Sequence, residues 1–531
     1  MVHKARKPAA NSAPISEKTD IFAKKYDFLT LKMCNFAEFV KFELCTHISI
    51  AALILGYILY GKLVEKVFKP DPARIPPSIA QKDGVDYVPM PAWKVYMIQF
   101  LNIAGTGPVF GAIMGAMFGP SSYLWIVFGA IFGGSVHDYF SGMLSMRNGG
   151  AGLPDLAGKY MGKGMKTFVL AFSIIVLLLV GTVFVYSPAI LLSQIAGDGS
   201  RMYVMIWIVV IFIYYLIATM LPVDKVIGKI YPLFAFSLLF MALGLMVCLF
   251  VKWPTIPEFW NGLGNLGEQR GLMSGQSIFP CLFITIACGA VSGFHATQSP
   301  MMARCATNEK LGRPVFYGAM ITEGVVALIW AAVSSWFFFG GGAETVGLTL
   351  SASAPRIVVA VSMSWLGILG GILAVIGVVA APITSGDTAF RSARMIIADF
   401  LHLDQKPILN RLYISIGLFV VASLLLWFNI ADENGFNVIW RYFGWANQTL
   451  AAVMLWIATV YLVKDRRNCA YLMTLLPASF MTSVCLTYLC VAQIGFNLPQ
   501  SWSLPIGAGV FVLCIVVFYI VKAICARPKR G

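Results

Sequence analysis

Charge is scarce in this 531-residue chain: Asp, Glu, Lys and Arg make up 12% of it, against 59% hydrophobic residues. So low a charge excludes a disordered or highly solvated protein. The apolar residues gather in many runs of roughly 20, the length a helix needs to cross a bilayer. Short alternating apolar segments of the outer-membrane barrel type are missing, which leaves helices as the spanning element. Catalytic patterns are missing too. There is no G-x-S-x-G, H-E-x-x-H or haem-ligand pattern, and Gly158 to Lys163 has the wrong spacing for a phosphate loop and no following Ser or Thr. The chain is therefore not expected to be an enzyme, and coupling to ATP would require another chain. The eleven cysteines include no CxxC spacing, and most lie within apolar runs (Cys248, Cys281, Cys288, Cys485, Cys490, Cys514). They are expected to be small buried hydrophobes, with neither a disulfide framework nor a zinc site. No compact apolar core with a cleavage site precedes Glu43, so no signal peptide is expected.

Acidic residues are the rarer sign, 24 against 39 basic ones, for a formal charge of +15. In a soluble chain that balance would suggest nucleic acid. Here the basic residues cluster between apolar runs, so they indicate topology and contacts with membrane lipid, with no nucleic-acid partner. The pattern predicts an all-α polytopic membrane protein of thirteen spans: 44–60, 93–119, 121–146, 166–192, 201–220, 228–252, 277–303, 315–340, 355–383, 408–428, 437–463, 470–492 and 503–524. The loops after the odd-numbered spans carry most of the Lys and Arg and are assigned to the cytoplasm. An odd count then puts the basic tail 1–43, which includes a possible interfacial helix, on the opposite side.

Within this layout one stretch is unusual. Glycine recurs at Gly107, Gly111, Gly115 and Gly119, a spacing that puts four bare positions on one helical face and lets a neighbouring backbone come close. Gly105-Thr106-Gly107-Pro108 lies inside the same apolar run, where proline removes an amide donor and should break the helix. Broken backbone at membrane depth survives only where it is buried in protein or lines a cavity. The alternative is a kinked packing helix. A second interruption, Cys288 to His295, occupies the corresponding place in span seven. Spans two to six and seven to eleven then form two sets of five, residues 93–252 and 253–464, with opposite orientation as in the inverted repeats of secondary transporters. Residues 44–92 precede them as a first span and a cytoplasmic loop. Residues 465–531 follow as two more helices and a basic tail. Asp138 follows Gly107 at the same separation as Glu323 follows Ser292, each acid inside the span after its break.

Ionisable groups within spans are functional candidates by default. His137 and Asp138 lie in span three, Glu323 in span eight, and His295 follows the second break. Glu323 is favoured as a proton carrier, since a carboxyl isolated in an apolar span can load and release protons. Asp138 could equally pair with His137 or cap a helix, and His295 could simply be hydrogen-bonded structure. The free amides of a half-helix N-terminus suit an anion. The substrate-binding candidates are therefore Gly105, Thr106, Gly107 and Pro108, facing Ser292, Gly293, His295, Thr297 and Gln298. Thr384, Ser385 and Asp387, at the expected cytoplasmic end of span nine, offer oxygen ligands for sodium or another cation, or ordinary helix-end capping. Asn447 and Gln448 are either interhelical hydrogen-bonding groups or substrate contacts.

The stretches Asp83 to Pro89, Ala104 to Pro108, Val136 to Asp138, Ser292 to His295, Thr384 to Thr388 with Ala389 and Arg391, and Trp445 to Gln448 together resemble the carbon starvation protein A (CstA) family of bacterial inner-membrane transporters. The resemblance runs over about residues 44 to 464 and implies a short form of the family. It implies nutrient uptake during carbon limitation, with peptides or pyruvate as substrate and protons as a coupling ion in some members. It also implies a leucine transporter-like, five-plus-five inverted repeat with discontinuous helices and a sodium site between Asn102 to Gly105 and Thr384 to Thr388. The expected function is secondary active uptake of a small carboxylate-bearing nutrient coupled to H+ or Na+, with no other cofactor. A channel and a membrane-embedded nutrient sensor are the alternatives, and oligomeric state is left open.

Overall fold

The computed structural model describes residues 44–221, 227–273, 275–431, 435–465 and 469–526. The tail 1–43, its possible interfacial helix and the basic residues 527–531 lie outside them. The described chain is almost entirely helical. In order the main helices are α1 (Cys45–Phe68), α2 (Ala92–Ile103), α3 (Gly107–Ala116), α4 (residues 121–147), α5 (Leu153–Met161), α6 (Lys163–Ile195), α7 (Arg201–Met220), α8 (Ile227–Lys252), α9 (Ile278–Thr285), α10 (His295–Ala303), α11 (Gly318–Phe339), α12 (Ala354–Ile368), α13 (Gly370–Leu401), α14 (Ile408–Ala431), α15 (Gly435–Asp465), α16 (Leu472–Val491) and α17 (Ser503–Ala526).

Every expected span is occupied by helix. Among the described residues ten helices are long and apolar enough to cross a membrane, or eleven when the bent pair α2 and α3 counts as one. Two expected spans, 121–146 and 277–303, fall outside that count. The first carries His137, Asp138 and several serines, and the second is interrupted over residues 286–294. Span nine differs most. It is expected over 355–383, whereas the chain kinks at Gly367, which has a φ of +70°, and α13 runs on to Leu401. Thr384, Ser385 and Asp387 therefore sit in the body of a helix, which removes helix-end capping as their explanation.

Proline and glycine account for the breaks. α2 ends at Ile103, and α3 leaves it at 53° after Gly105-Thr106. The glycine face does what its spacing predicts: a Cβ on Gly107 would lie 2.2 Å from the Cys288 Cβ, one on Gly111 3.0 Å from the Thr285 carbonyl oxygen, and one on Gly115 2.2 Å from the Ile286 side chain. The first broken helix thus lies directly against the start of the second interruption. On the other side of that interruption Gly293 packs onto the backbone of α15, where its Cβ would meet the Asn447 carbonyl oxygen at 2.1 Å. Burial grades outward from this centre. The best apolar window of residues 309–339 is 89% buried within the protein, and that of the last helix is 6% buried.

Candidate functional site

The site forms where the two interruptions meet α4, α11 and α15. His295 is the first residue of α10, and its Nδ1 lies 2.9 Å from Asp138 Oδ2 of α4. Its Nε2 lies 3.5 Å from Glu323 Oε2 of α11. His137 Nδ1 holds the other oxygen of Asp138 at 2.7 Å. All four side chains are fully buried. The two acids from the helices after the two breaks therefore converge on one histidine: Asp138 is hydrogen-bonded to both His137 and His295, whereas Glu323 lies at ion-pair distance from His295 Nε2 without a hydrogen bond. A group with one carboxylate on each ring nitrogen is placed to pass a proton between them. Such a buried cluster is also costly to leave half-paired, so its members depend on one another.

Of the substrate-binding candidates, Gly105, Thr106, Gly107 and Pro108 are buried at the first break. Thr106 Oγ1 and both polar atoms of Asn102 have no hydrogen-bond partner among the described residues. Buried polar atoms left without protein partners are the groups that a bound polar ligand or water satisfies. At the second interruption Ser292 Oγ donates to Asn447 Oδ1 (3.2 Å), which also accepts the amide of Phe294 (2.7 Å). Asn447 thereby clamps the open backbone ahead of His295, with its own Nδ2 unpartnered. Thr297 is used locally, donating to the Phe294 carbonyl (2.6 Å), and Gln298 bonds to Thr297 and Ser392. Gln448 donates to the Phe283 carbonyl (2.7 Å).

The three cation candidates divide between two sides of α13. Ser385 Oγ donates to the Leu101 carbonyl at the end of α2 (3.1 Å) and lies beside Gly105, the place the family resemblance implies. Asp387 instead accepts from Tyr231 OH on α8 (2.7 Å), which also contacts the Thr384 carbonyl (3.0 Å). The Thr384 hydroxyl is taken up by the carbonyls of Ala380 and Ala381. Ser385 and Leu101 set two oxygens at the junction with the broken helix, whereas Asp387 bonds to α8.

Sequence reasoning missed two participants. Cys288, expected to be inert packing, has its sulfur within 4.8 Å of the donor atoms of His295 and Glu323. Tyr231 carried no signal, since a tyrosine in an apolar run reads as core until its partner is known.

The chain matches the family "Carbon starvation protein CstA" over residues 44–206, 185–339 and 334–488. It is 47% identical over 332 residues to an uncharacterized membrane protein of Haemophilus influenzae, covering 54% of this chain and 90% of that one. It is 26% identical to the peptide transporter CstA of Bacillus subtilis, over 91% of this chain and 96% of the relative. With the pyruvate/proton symporter BtsT of Escherichia coli it shares 24% identity, over 85% and 81% of the two chains. The fold is similar to that of a manganese transporter of Eremococcus coleocola (TM-score 0.53, 11% identity, 83% of this chain and 98% of that one). It is also similar to that of a Na+-coupled sialic acid symporter (TM-score 0.51, 14% identity, 88% and 96%). These are leucine transporter-like folds, and helices of this number and apolarity make the protein a multi-pass protein of the inner membrane. On the extent of the match and the agreement of fold, the chain belongs to the carbon starvation protein CstA family.

Proposed function

We propose that this protein is a secondary active transporter that imports a small carboxylate-bearing nutrient, pyruvate or a short peptide, when carbon is limiting, and that protons drive it. The observation that carries the reading is His295 held between Asp138 and Glu323 at the start of the second half-helix. Two acids bridged by one histidine, fully buried beside broken backbone, fit a proton path better than a static structural pair. The names of two relatives, a peptide transporter and a pyruvate/proton symporter, support the same class of cargo, and the second names the proton as its ion.

The substrate carboxylate would meet the amides of Gly105 to Pro108 and the polar atoms of Asn102 and Thr106, with Ser292, Gly293, His295, Thr297 and Gln298 on the facing side. All thirteen spans would cross the membrane, and residues 93–252 and 253–464 would form two inverted units of five that rock around this centre. The broken helix that opens each unit, and the acid on the helix that follows, support that repeat. Sodium is a second reading for the coupling ion, favoured by Ser385 against the Leu101 carbonyl. The test is uptake of labelled pyruvate and of a dipeptide into proteoliposomes under imposed proton or sodium gradients. Accumulation that follows the proton gradient supports the reading, and no accumulation under any gradient contradicts it.

A further inference from the structure

The segment Asp83 to Pro89 has no part in the relay, yet it is held more tightly than a connecting loop needs to be. Asp83 Oδ1 accepts the amides of Val85 (2.7 Å), Asp86 (3.0 Å) and Tyr87 (2.9 Å). This turn, with Gly84 at a φ of +74°, drives Asp86 inward until it is 2% exposed. The loop is also tied down on either side. Tyr87 OH donates to the Gly149 carbonyl (3.0 Å), and the Met90 amide donates to the carbonyl of Cys305, which is fully buried (3.1 Å).

Asp86 enters a cluster of arginines. Its Oδ1 lies 3.3 Å from Arg394 Nη2 and 3.7 Å from Arg391 Nη1, both on α13. Arg304, after α10, bonds the Gly150 carbonyl and Asp399. Burial pushes the Asp86 carboxyl up, but the guanidinium groups of Arg394, Arg391 and Arg304 outweigh it and hold that carboxyl below the ordinary carboxylate range. One carboxylate does not use all the donors offered. Arg391 Nε and Nη1 and Arg394 Nε are buried with no hydrogen-bond partner among the described residues, while Arg391 Nη2 donates to the carbonyls of Ala218 and Leu221. Planar guanidinium forks in such excess match a carboxylate, and leaving them unpaired away from water is costly. All the connections that meet here are ones that the Lys and Arg count assigns to the cytoplasm.

We propose that Arg391 and Arg394 form a carboxylate-binding site at the cytoplasmic end of the bundle, which the chain's own Asp86 fills in this conformation and which the cargo's carboxylate takes over on its way out. The part played by cargo rests on the reading of a carboxylate-bearing substrate above; the site and its tethered occupant do not. While Asp86 is in place the loop covers Cys305. Exchange of one carboxylate for another releases the loop while a carboxylate stays on the arginines throughout.

The chain supplies its own reporter. Alkylation of Cys305 by a bulky polar maleimide is followed by peptide mass spectrometry on the purified full-length protein in neutral detergent, with exposed Cys469 and Cys525 as internal standards. Asp86→Gly should raise the Cys305 rate about tenfold or more with no carboxylate added, and in the wild type millimolar acetate or pyruvate should raise it several-fold while neutral acetamide does not. Arg394→Gln should remove the acetate effect. Asp86→Asn, which keeps the shape and removes the charge, should shift the acetate response to lower concentration. An Asp86→Gly rate equal to wild type, or a wild-type rate that acetate leaves unchanged, overturns the proposal. Opening that requires phosphatidylglycerol and ignores acetate also overturns it and assigns the arginines to lipid. If acetate opens the loop but reconstituted protein accumulates no carboxylate, this site stands and the transport reading falls.

Discussion

The two interruptions at the centre of the protein differ in kind. The first, residues 104–106 between α2 and α3, is short and offers mostly backbone: Ala104 and Gly105, with the hydroxyl of Thr106, flanked by Asn102 at the end of α2 and by Gly107 and Pro108 at the start of α3. The second, residues 286–294 between α9 and α10, is longer and brings in side chains, with Cys288 and Ser292 inside it and His295 at its exit. The first break is built for close approach and the second for chemistry. Glycines at Gly107, Gly111 and Gly115 let the second interruption lie against the first, and His295 then reaches acids from the helix after each break.

If that division is right, the largest losses of function come from the second side. Glu323→Gln should abolish proton-driven accumulation while sparing substrate exchange, measured as uptake against counterflow. Unchanged coupling would remove Glu323 from the relay. Asp138→Asn should stop both and also destabilise the fold by about 1–3 kcal/mol, because it removes the buried carboxylate to which two buried histidines are hydrogen-bonded; thermal unfolding in detergent checks this. At the first break the effect should be steric. Gly107→Ala sets a methyl on the Cys288 side chain and should cost about 1–3 kcal/mol, with partial recovery when Cys288→Gly is added. Asn447→Ala leaves the buried Phe294 amide unpaired and should cost about 1–3 kcal/mol while lowering uptake without changing its ion dependence. Ser385→Ala should be milder, about 0.5–1.5 kcal/mol, and should leave proton-driven uptake intact unless sodium couples there.

Much of this centre was legible in the sequence because its causes are local. Pro108 and the four-residue glycine spacing announce a break and a bare face wherever the helix ends up packing. The equal offsets of Asp138 and Glu323 from the two breaks were legible in the sequence. Their meeting on His295 was not, since it depends on how α4, α10 and α11 cross. The placement of Thr384 and Asp387 was misjudged for a different reason. Hydropathy ends span nine at 383 because Arg391 and Arg394 look like loop residues, whereas both are buried in the continuing helix. A charge whose partner lies elsewhere in the sequence, as Asp86 does, reads as a boundary when it is interior. The ten or eleven helices that pass as membrane spans fall short of thirteen for a related reason: polar and broken segments at the site fail any test of continuous apolarity.

The central claim is that proton movement through Asp138, His295 and Glu323 drives a small carboxylate inward. Its most direct measurement is pyruvate uptake by wild-type and Glu323→Gln proteoliposomes at equal protein content, with an inward proton gradient imposed and then collapsed by an ionophore. The account predicts accumulation in the wild type that disappears with the gradient, and none in the variant despite normal exchange. Accumulation of the same extent in both would contradict it.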